Sequence, residues 1–101
     1  MPLLVVYRQA ARRDIIDAAR HYESERTGLG AAFVAEVGRV EGHIADAPGL
    51  YQVVDSGIRR AVMRRFPFGL FYVEEGERVL VLACLDLRRD PRALGEIVTR
   101  R

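Results

Sequence analysis

The chain of 101 residues contains no lysine, and all 16 of its basic residues are arginine, set against 14 acidic residues and a formal net charge of +2. The absence of lysine excludes a catalytic lysine. The exclusive use of arginine has two explanations that composition does not separate. One is codon bias in a GC-rich genome, and the other is a need for planar, bidentate contacts with carboxylate or phosphate groups.

Cysteine is almost absent as well. The single Cys84 excludes an internal disulfide and is typical of a reducing compartment, so we expect a cytoplasmic protein. Zinc-type pairs of cysteine and histidine are missing, which argues against a metal site.

No apolar run approaches the ~20 residues that span a bilayer, and the N-terminus lacks the basic region of a secretory signal. Gly28-Leu29-Gly30 lacks the third glycine of a dinucleotide site, so no cofactor is expected.

The length predicts one domain, residues 1–101. Its centre is the stretch from Ile58 to Asp90, where β-branched and aromatic residues dominate and glycine and proline occur only at breaks. This pattern predicts three strands, Ile58–Phe66, Phe68–Glu74 and Arg78–Leu87. The last of them is apolar at every position from Val79 to Leu85, so both of its faces should be covered, as in a central strand.

Upstream of this meander, apolar residues recur at helical spacing in two segments. We predict a strand at Leu3–Tyr7, a first helix from about Gln9 to about Arg26, and a second helix from Leu29 that ends at Pro48-Gly49. The connection between the helices is short, which predicts an antiparallel hairpin. Leu50–Val54 should be an edge strand, and the tail from Arg92 to Arg101 should form a short helix or a frayed end.

The predicted fold class is therefore α+β: an N-terminal strand and an antiparallel helical hairpin packed on a small, mostly antiparallel sheet, in the order β-αα-ββββ. One helical hairpin covers one face of a sheet. Phe68, Leu70 and Tyr72 alternate with Phe71 and Val73, so the other face is apolar too. Either the sheet curls strongly around that face, or another chain closes it, and we expect an exposed apolar groove there that binds a partner.

Several short patterns together resemble the ParE branch of the RelE/ParE toxin superfamily, the toxins of bacterial type II toxin–antitoxin modules. The similarity covers nearly the whole chain. In the first predicted helix the matching residues are Ala11, Asp14, Ile15, Ala18 and Tyr22, and in the second they are Phe33 and the stop at Pro48-Gly49. In the strands they are Ile58-Arg59-Arg60, Arg65-Phe66-Pro67-Phe68 and Tyr72. The closing motif is Leu85-Asp86-Leu87-Arg88-Arg89-Asp90-Pro91.

The resemblance implies a RelE/ParE-like fold and a cognate, ParD-like antitoxin that wraps the toxin in a hetero-oligomer. It also implies one of two activities: ParE-type members inhibit DNA gyrase by binding, and RelE-type members cut messenger RNA on the ribosome. DNA contacts of its own are not expected, because a net charge of +2 is too small for a broad phosphate footprint. Operator binding is expected only through the antitoxin.

A metal-free nuclease needs an acid, a base and cations around the phosphate. The cations are present at the strand ends, and simple strand alternation places Arg60 and Arg64 on one face and Arg59 and Arg65 on the other. The acid and base are weak. Asp86 stands where many relatives carry histidine, no tyrosine follows Tyr72, and the RelE-type lysines are missing.

The other titratable candidates have simpler explanations. His21 and His43 are predicted on helix surfaces, and Cys84 is predicted to be a core residue. We therefore favour a non-enzymatic ParE-like gyrase inhibitor. Two alternatives stay open: a RelE-like ribosome-dependent mRNA endonuclease, and a degenerate member that only binds its antitoxin.

These readings assign roles to specific residues. Target binding is assigned to Arg59, Arg65, Arg88 and Arg89, and antitoxin binding to Leu70, Tyr72 and Leu82. If the protein is a nuclease, Arg65, Asp86 and Arg89 are the catalytic candidates. No metal ligand, cofactor or membrane contact is expected.

Overall fold

The computed structural model describes residues 2–89 together with Gly95 and Ile97. The elements follow the predicted order, which confirms the fold class. They are β1 (Leu4–Tyr7), α1 (Gln9–Glu25), α2 (Leu29–Asp46), a short 3-10 helix (Pro48–Leu50), β2 (Gln52–Asp55), β3 (Ile58–Val62), β4 (Phe68–Glu75) and β5 (Arg78–Asp86).

The five strands form one sheet in the order β1-β5-β4-β3-β2. Strands β1 and β5 pair in parallel, which is possible because the long connection between them includes the helical hairpin. The other neighbouring strands pair antiparallel. Strand β5 therefore has a neighbour on each side, as its continuous apolar sequence predicts, and β2 lies at an edge.

An aromatic cluster joins the helices to the sheet. It consists of Tyr22 on α1, Phe33 on α2, Phe66 before β4 and Phe68 at its start, with ring centroids 4.8 to 6.1 Å apart in five pairs. Edge-to-face and tilted contacts of this kind add to the stabilisation from buried apolar area. The cluster therefore fixes both helices against the segment between β3 and β4.

Strand β5 contains a bulge that changes which side chains face the helices. Phe71 pairs with Ala83 and Tyr72 with Val81, so Leu82 is the extra residue. Leu82 and Ala83 both pack on the face away from the helices, while Val81 and Cys84 pack towards them. The bulge thus shifts the alternation and places the end of β5 against α1, where Asp14 Oδ2 accepts the Cys84 N–H at 3.0 Å.

The expected exposed apolar groove on the far face of the sheet is not observed among the described residues. Phe71, Val73, Leu82 and Ala83 are at most 6% exposed. The physical reason is that the chain supplies its own cover, because Ile97 is buried in the same cluster. The rest of the predicted tail segment, Arg92–Arg101, lies outside the described residues.

Strand β3 is shorter than predicted, since it ends at Val62 and not at Phe66. The last ladder-like bond is donated by Met63 N–H to the Phe68 oxygen at 2.9 Å, and residues 64–67 form a bend. Pro67 has no N–H to extend the ladder. The alternation predicted for Arg64 and Arg65 therefore does not apply, because neither residue lies on a strand.

We predict that Gly30→Ala destabilises the helical hairpin. A Cβ atom at Gly30 would lie 2.7 Å from the Ala19 carbonyl oxygen and 3.1 Å from Glu23 Cβ. Because the first of these atoms is backbone, the helices must separate, which we expect to lower the free energy of unfolding by about 1–3 kcal/mol. Urea unfolding measures this change.

Gly38→Ala is the matched control. Gly38 also lies in α2, but a Cβ atom there meets nothing within 4 Å. Alanine should raise stability by about 0.5–1 kcal/mol through its better helix propensity. Equal effects of the two substitutions would contradict the close helix approach at Gly30.

Candidate functional site

Four arginines gather at one end of the sheet. Arg64 and Arg65 lie in the bend between β3 and β4, and Arg88 and Arg89 lie in the turn after β5. The two segments are joined, because Leu87 N–H donates to the Pro67 oxygen at 2.8 Å. All four side chains are exposed. We call this set, Arg64, Arg65, Arg88 and Arg89, the arginine end.

One carboxylate from α2 anchors the bend. Glu36 Oε2 accepts the backbone N–H of Arg64 at 2.8 Å and that of Arg65 at 3.3 Å. Arg39 donates to both oxygens of the same carboxylate, each at 2.9 Å. These donors, Arg39 first, lower the pKa of Glu36 to about 2. The carboxylate is therefore charged near neutral pH and holds the bend against the helix.

Asp86 forms a bidentate pair with Arg88. Arg88 Nε donates to Oδ1 at 3.0 Å and Nη2 to Oδ2 at 2.8 Å, and the Arg88 N–H donates to Oδ1 at 2.9 Å. The side-chain bond to Arg88 is the main reason that the pKa of Asp86 lies below its usual value. Asp86 is thus held ionised and is poorly suited to give a proton to a leaving group.

Arg59 does not belong to the arginine end. It lies near the start of β3, where Nη1 donates to the Tyr51 oxygen at 2.6 Å and Nε is 3.6 Å from Glu74 Oε1. Its side chain is 27% exposed. The structure therefore brings together three of the four residues predicted to bind a target, and places Arg59 in a contact that ties the segment before β2 to β3 and β4.

The three residues predicted to bind an antitoxin do not form a surface. Leu70 and Tyr72 are fully buried on the helix side of the sheet, and Leu82 is 1% exposed on the opposite side. In the described structure none of them is accessible to a partner. Contacts with these side chains would require the domain to open.

A cavity of about 340 Å³ lies between α1 and the end of β5. Its lining combines charged, aromatic and thiol groups from α1, the start of β4 and the end of β5, among them Asp14, Asp17, His21, Tyr22, Phe68, Cys84, Asp86, Arg88 and Arg89. Burial raises the pKa of the Cys84 thiol to about 12, so this cysteine is a packed side chain and not a nucleophile. Of the predicted nuclease residues, Asp86 and Arg89 line the cavity and Arg65 does not.

Sequence reasoning missed the contact of Glu36 with the bend, because its backbone donors lie 28 and 29 residues away. His21 is exposed on α1, as predicted, and it also lines the cavity next to Tyr22. Sequence reasoning also missed the packing of Arg60, whose side chain lies over Gly69 and whose Nε atom is buried without a hydrogen-bond partner in the described part of the chain.

Within residues 2–89, Gly95 and Ile97, no group of histidine, cysteine and acidic side chains is arranged to hold a metal ion. In the same part of the chain, no helix has both the length and the apolar character that crossing a membrane requires.

The element order and sheet topology define a RelE/ParE-like fold, which confirms the resemblance at the level of the fold. No family model and no curated protein matches the sequence. A chain from the chromosomal ParDE toxin–antitoxin system of P. aeruginosa matches with a TM-score of 0.73 and 14% identity, over 81% of this chain and 92% of that chain. A chain from the RelBE2 toxin–antitoxin complex of Mycobacterium tuberculosis matches with a TM-score of 0.58 and 20% identity, over 83% and 96%.

We predict that the stabilisation from Glu36 depends on pH. Because the folded-state pKa of about 2 lies below the ordinary 4.5, the charged carboxylate stabilises the fold fully above about pH 4.5. That contribution is lost as the pH falls from 4.5 towards 2. Glu36→Gln should lower the free energy of unfolding by about 2–3 kcal/mol at pH 7, and the difference should shrink towards pH 3. Urea unfolding at both pH values measures it.

Arg39→Gln provides the comparison. It removes the main cause of the lowered pKa of Glu36, so the pKa should rise towards its ordinary value and the pH-dependent contribution should become smaller. A difference between wild type and Glu36→Gln that is the same at pH 3 and pH 7 would show that the carboxylate charge does not stabilise the bend.

Proposed function

We propose that this chain is the toxin component of a type II toxin–antitoxin module that inhibits DNA gyrase by binding and is neutralised by a cognate, ParD-like antitoxin. The fold supports this proposal, since two proteins that share it belong to toxin–antitoxin systems. Because one fold serves different targets, the choice of gyrase rests on the residues of the site.

The arginine end is the observation that carries the proposal. It presents exposed guanidinium groups on two joined segments, and these groups suit bidentate contacts with carboxylates of a protein target. The nearest candidate acid, Asp86, is held ionised by Arg88. The arrangement therefore favours binding over proton transfer. Arg65 and Arg89 are the proposed main contacts, with Arg88 partly neutralised by Asp86 and Arg59 engaged elsewhere.

Antitoxin binding is part of the same proposal, with DNA contacted only through the antitoxin. Leu70, Tyr72 and Leu82 remain proposed contacts, on the condition that binding opens the domain. Apolar side chains that are already exposed lie elsewhere, including Leu50, which is 84% exposed, and Leu4, which is 67% exposed.

We predict that the protein, freed from its antitoxin, inhibits supercoiling of relaxed plasmid by purified gyrase with ATP, and that cleaved DNA accumulates. Arg65→Ala combined with Arg89→Ala should raise the concentration for half inhibition by at least about tenfold, because interface arginines often dominate binding. The supercoiling assay measures both quantities.

Arg13→Ala combined with Arg20→Ala is the charge-matched control. Both residues are exposed on α1 and neither lines the cavity, so this variant should inhibit gyrase as wild type does. Supercoiling that stays intact at saturating protein, while growth is still arrested, would rule out gyrase as the target. Absence of growth arrest would favour a chain that only binds its antitoxin.

The second candidate function is a RelE-like ribosome-dependent mRNA endonuclease, and one observation favours it. His21 shares the cavity with Arg88 and Arg89. Histidine is the side chain best suited to exchange protons near neutral pH, and two arginines can bind a phosphate. His21 Nε2 also lies 3.1 Å from Glu25 Oε1, which orients the ring.

If this second function is correct, His21→Ala should abolish codon-phased cleavage of a translated reporter message, because it removes the only imidazole that lines the cavity. His43→Ala is the control, since His43 is exposed on α2 and does not line the cavity. Primer extension on the translated message measures the cuts. Equal cleavage by wild type and His21→Ala would exclude this histidine as the acid or base.

A further inference from the structure

We propose that Glu36 is a positioning residue for target recognition, which acts through the backbone of the β3–β4 bend to fix how Arg64 and Arg65 are presented. This inference rests on the proposed use of the arginine end for target binding. Glu36 itself lies on α2 and is not a proposed target contact.

The geometry of the bend makes it dependent on this carboxylate. Of the backbone bonds around the bend, Met63 N–H reaches the Phe68 oxygen and Leu87 N–H reaches the Pro67 oxygen. The next two donors along the chain, Arg64 N–H and Arg65 N–H, both donate to Glu36 Oε2. A single oxygen 28 residues away therefore replaces the strand ladder that ends at Val62.

Within the described residues, the side chains of Arg64 and Arg65 have no comparable restraint of their own. Arg64 and Arg65 are exposed, and the contact of Arg65 within the chain is a cation–π approach, with Cζ 5.7 Å from the centroid of the Phe66 ring. Their direction is therefore set mainly by the backbone of the bend. Phe66, which follows Arg65, is buried in the aromatic cluster. Glu36 therefore holds the start of the bend at Arg64 and Arg65, and the aromatic cluster holds Phe66.

The bidentate pair with Arg39 explains how a carboxylate can lie beside the arginine end without neutralising it. Arg39 donates to both Glu36 oxygens, so the charge of the carboxylate is balanced on α2. Arg64 and Arg65 contribute only backbone N–H groups, and their guanidinium groups stay available. Fixing binding groups before association reduces the entropy lost when they meet a target.

A double-mutant cycle tests this role. Glu36→Ala should weaken binding to purified gyrase by about tenfold, because it removes hydrogen bonds to a charged group. The expression level needed for growth arrest should rise by the same factor. In a background that already carries Arg64→Ala and Arg65→Ala, the same substitution should have no further effect, because nothing is left to position. Glu36→Gln, which keeps an acceptor oxygen, should recover part of the binding.

Val37→Ala separates positioning from general destabilisation. Val37 is the neighbouring residue on α2 and is 6% exposed in the core, so its truncation should lower thermal stability without changing gyrase affinity.

The outcomes distinguish this inference from the proposed function. The positioning role would be overturned if Glu36→Ala reduced gyrase affinity equally in wild type and in the Arg64→Ala, Arg65→Ala variant, or if Val37→Ala reduced it as much. Either result would leave the arginine end as the target surface. Full binding and full growth arrest in the Arg64→Ala, Arg65→Ala variant would overturn the positioning role, because the bend would then present no target contact, whereas the gyrase proposal itself would fall only if the wild-type protein left supercoiling intact.

Discussion

The packing of four aromatic rings between the helices and the sheet is the interaction on which the rest of the site depends. Tyr22, Phe33, Phe66 and Phe68 come from α1, α2, the bend and β4, so one cluster sets the position of all four elements. Phe66 connects this core to the surface, because the exposed Arg65 precedes it directly. Tyr22 and Phe68 also line the cavity. A displacement of these rings would therefore move the bend and the cavity together.

The aromatic ring of Phe66 fixes one part of the bend, but the strand ladder leaves the backbone N–H groups of Arg64 and Arg65 without acceptors. In a longer strand β3 the sheet would satisfy them, but Pro67 interrupts the ladder. Glu36 supplies the missing acceptor from the helical layer, and Arg39 balances the charge that this introduces. Polar and apolar contacts therefore converge on a segment of four residues, which is how a loop on a small domain can present charged side chains in a defined direction.

The sequence predicted the features that follow from local periodicity. The apolar stripe of α2, the continuous apolar run of β5 and the strand order of the meander were all correct, because each is a repeated local pattern. The features that were wrong depend on distant contacts. The bulge at Leu82 shifts the side-chain alternation, Ile97 covers the far face, and the backbone of Arg64 and Arg65 bonds to Glu36. Arg59 looked equivalent to Arg65 in sequence, but a carbonyl and a carboxylate hold it elsewhere.

The balance between binding and catalysis at this site follows from how each charge is paired. Asp86 accepts hydrogen bonds from Arg88, and Glu36 accepts them from Arg39 and from the backbone of the bend. Both of these carboxylates beside the arginine end therefore already have donors. Arg65 and Arg89 are exposed, and neither forms an ion pair within the described residues. His21 is the exception, because it lies in the cavity and its partner Glu25 leaves one ring nitrogen for another contact. The nuclease alternative therefore requires that imidazole to reach the reacting phosphate, whereas the proposed gyrase inhibitor does not use it.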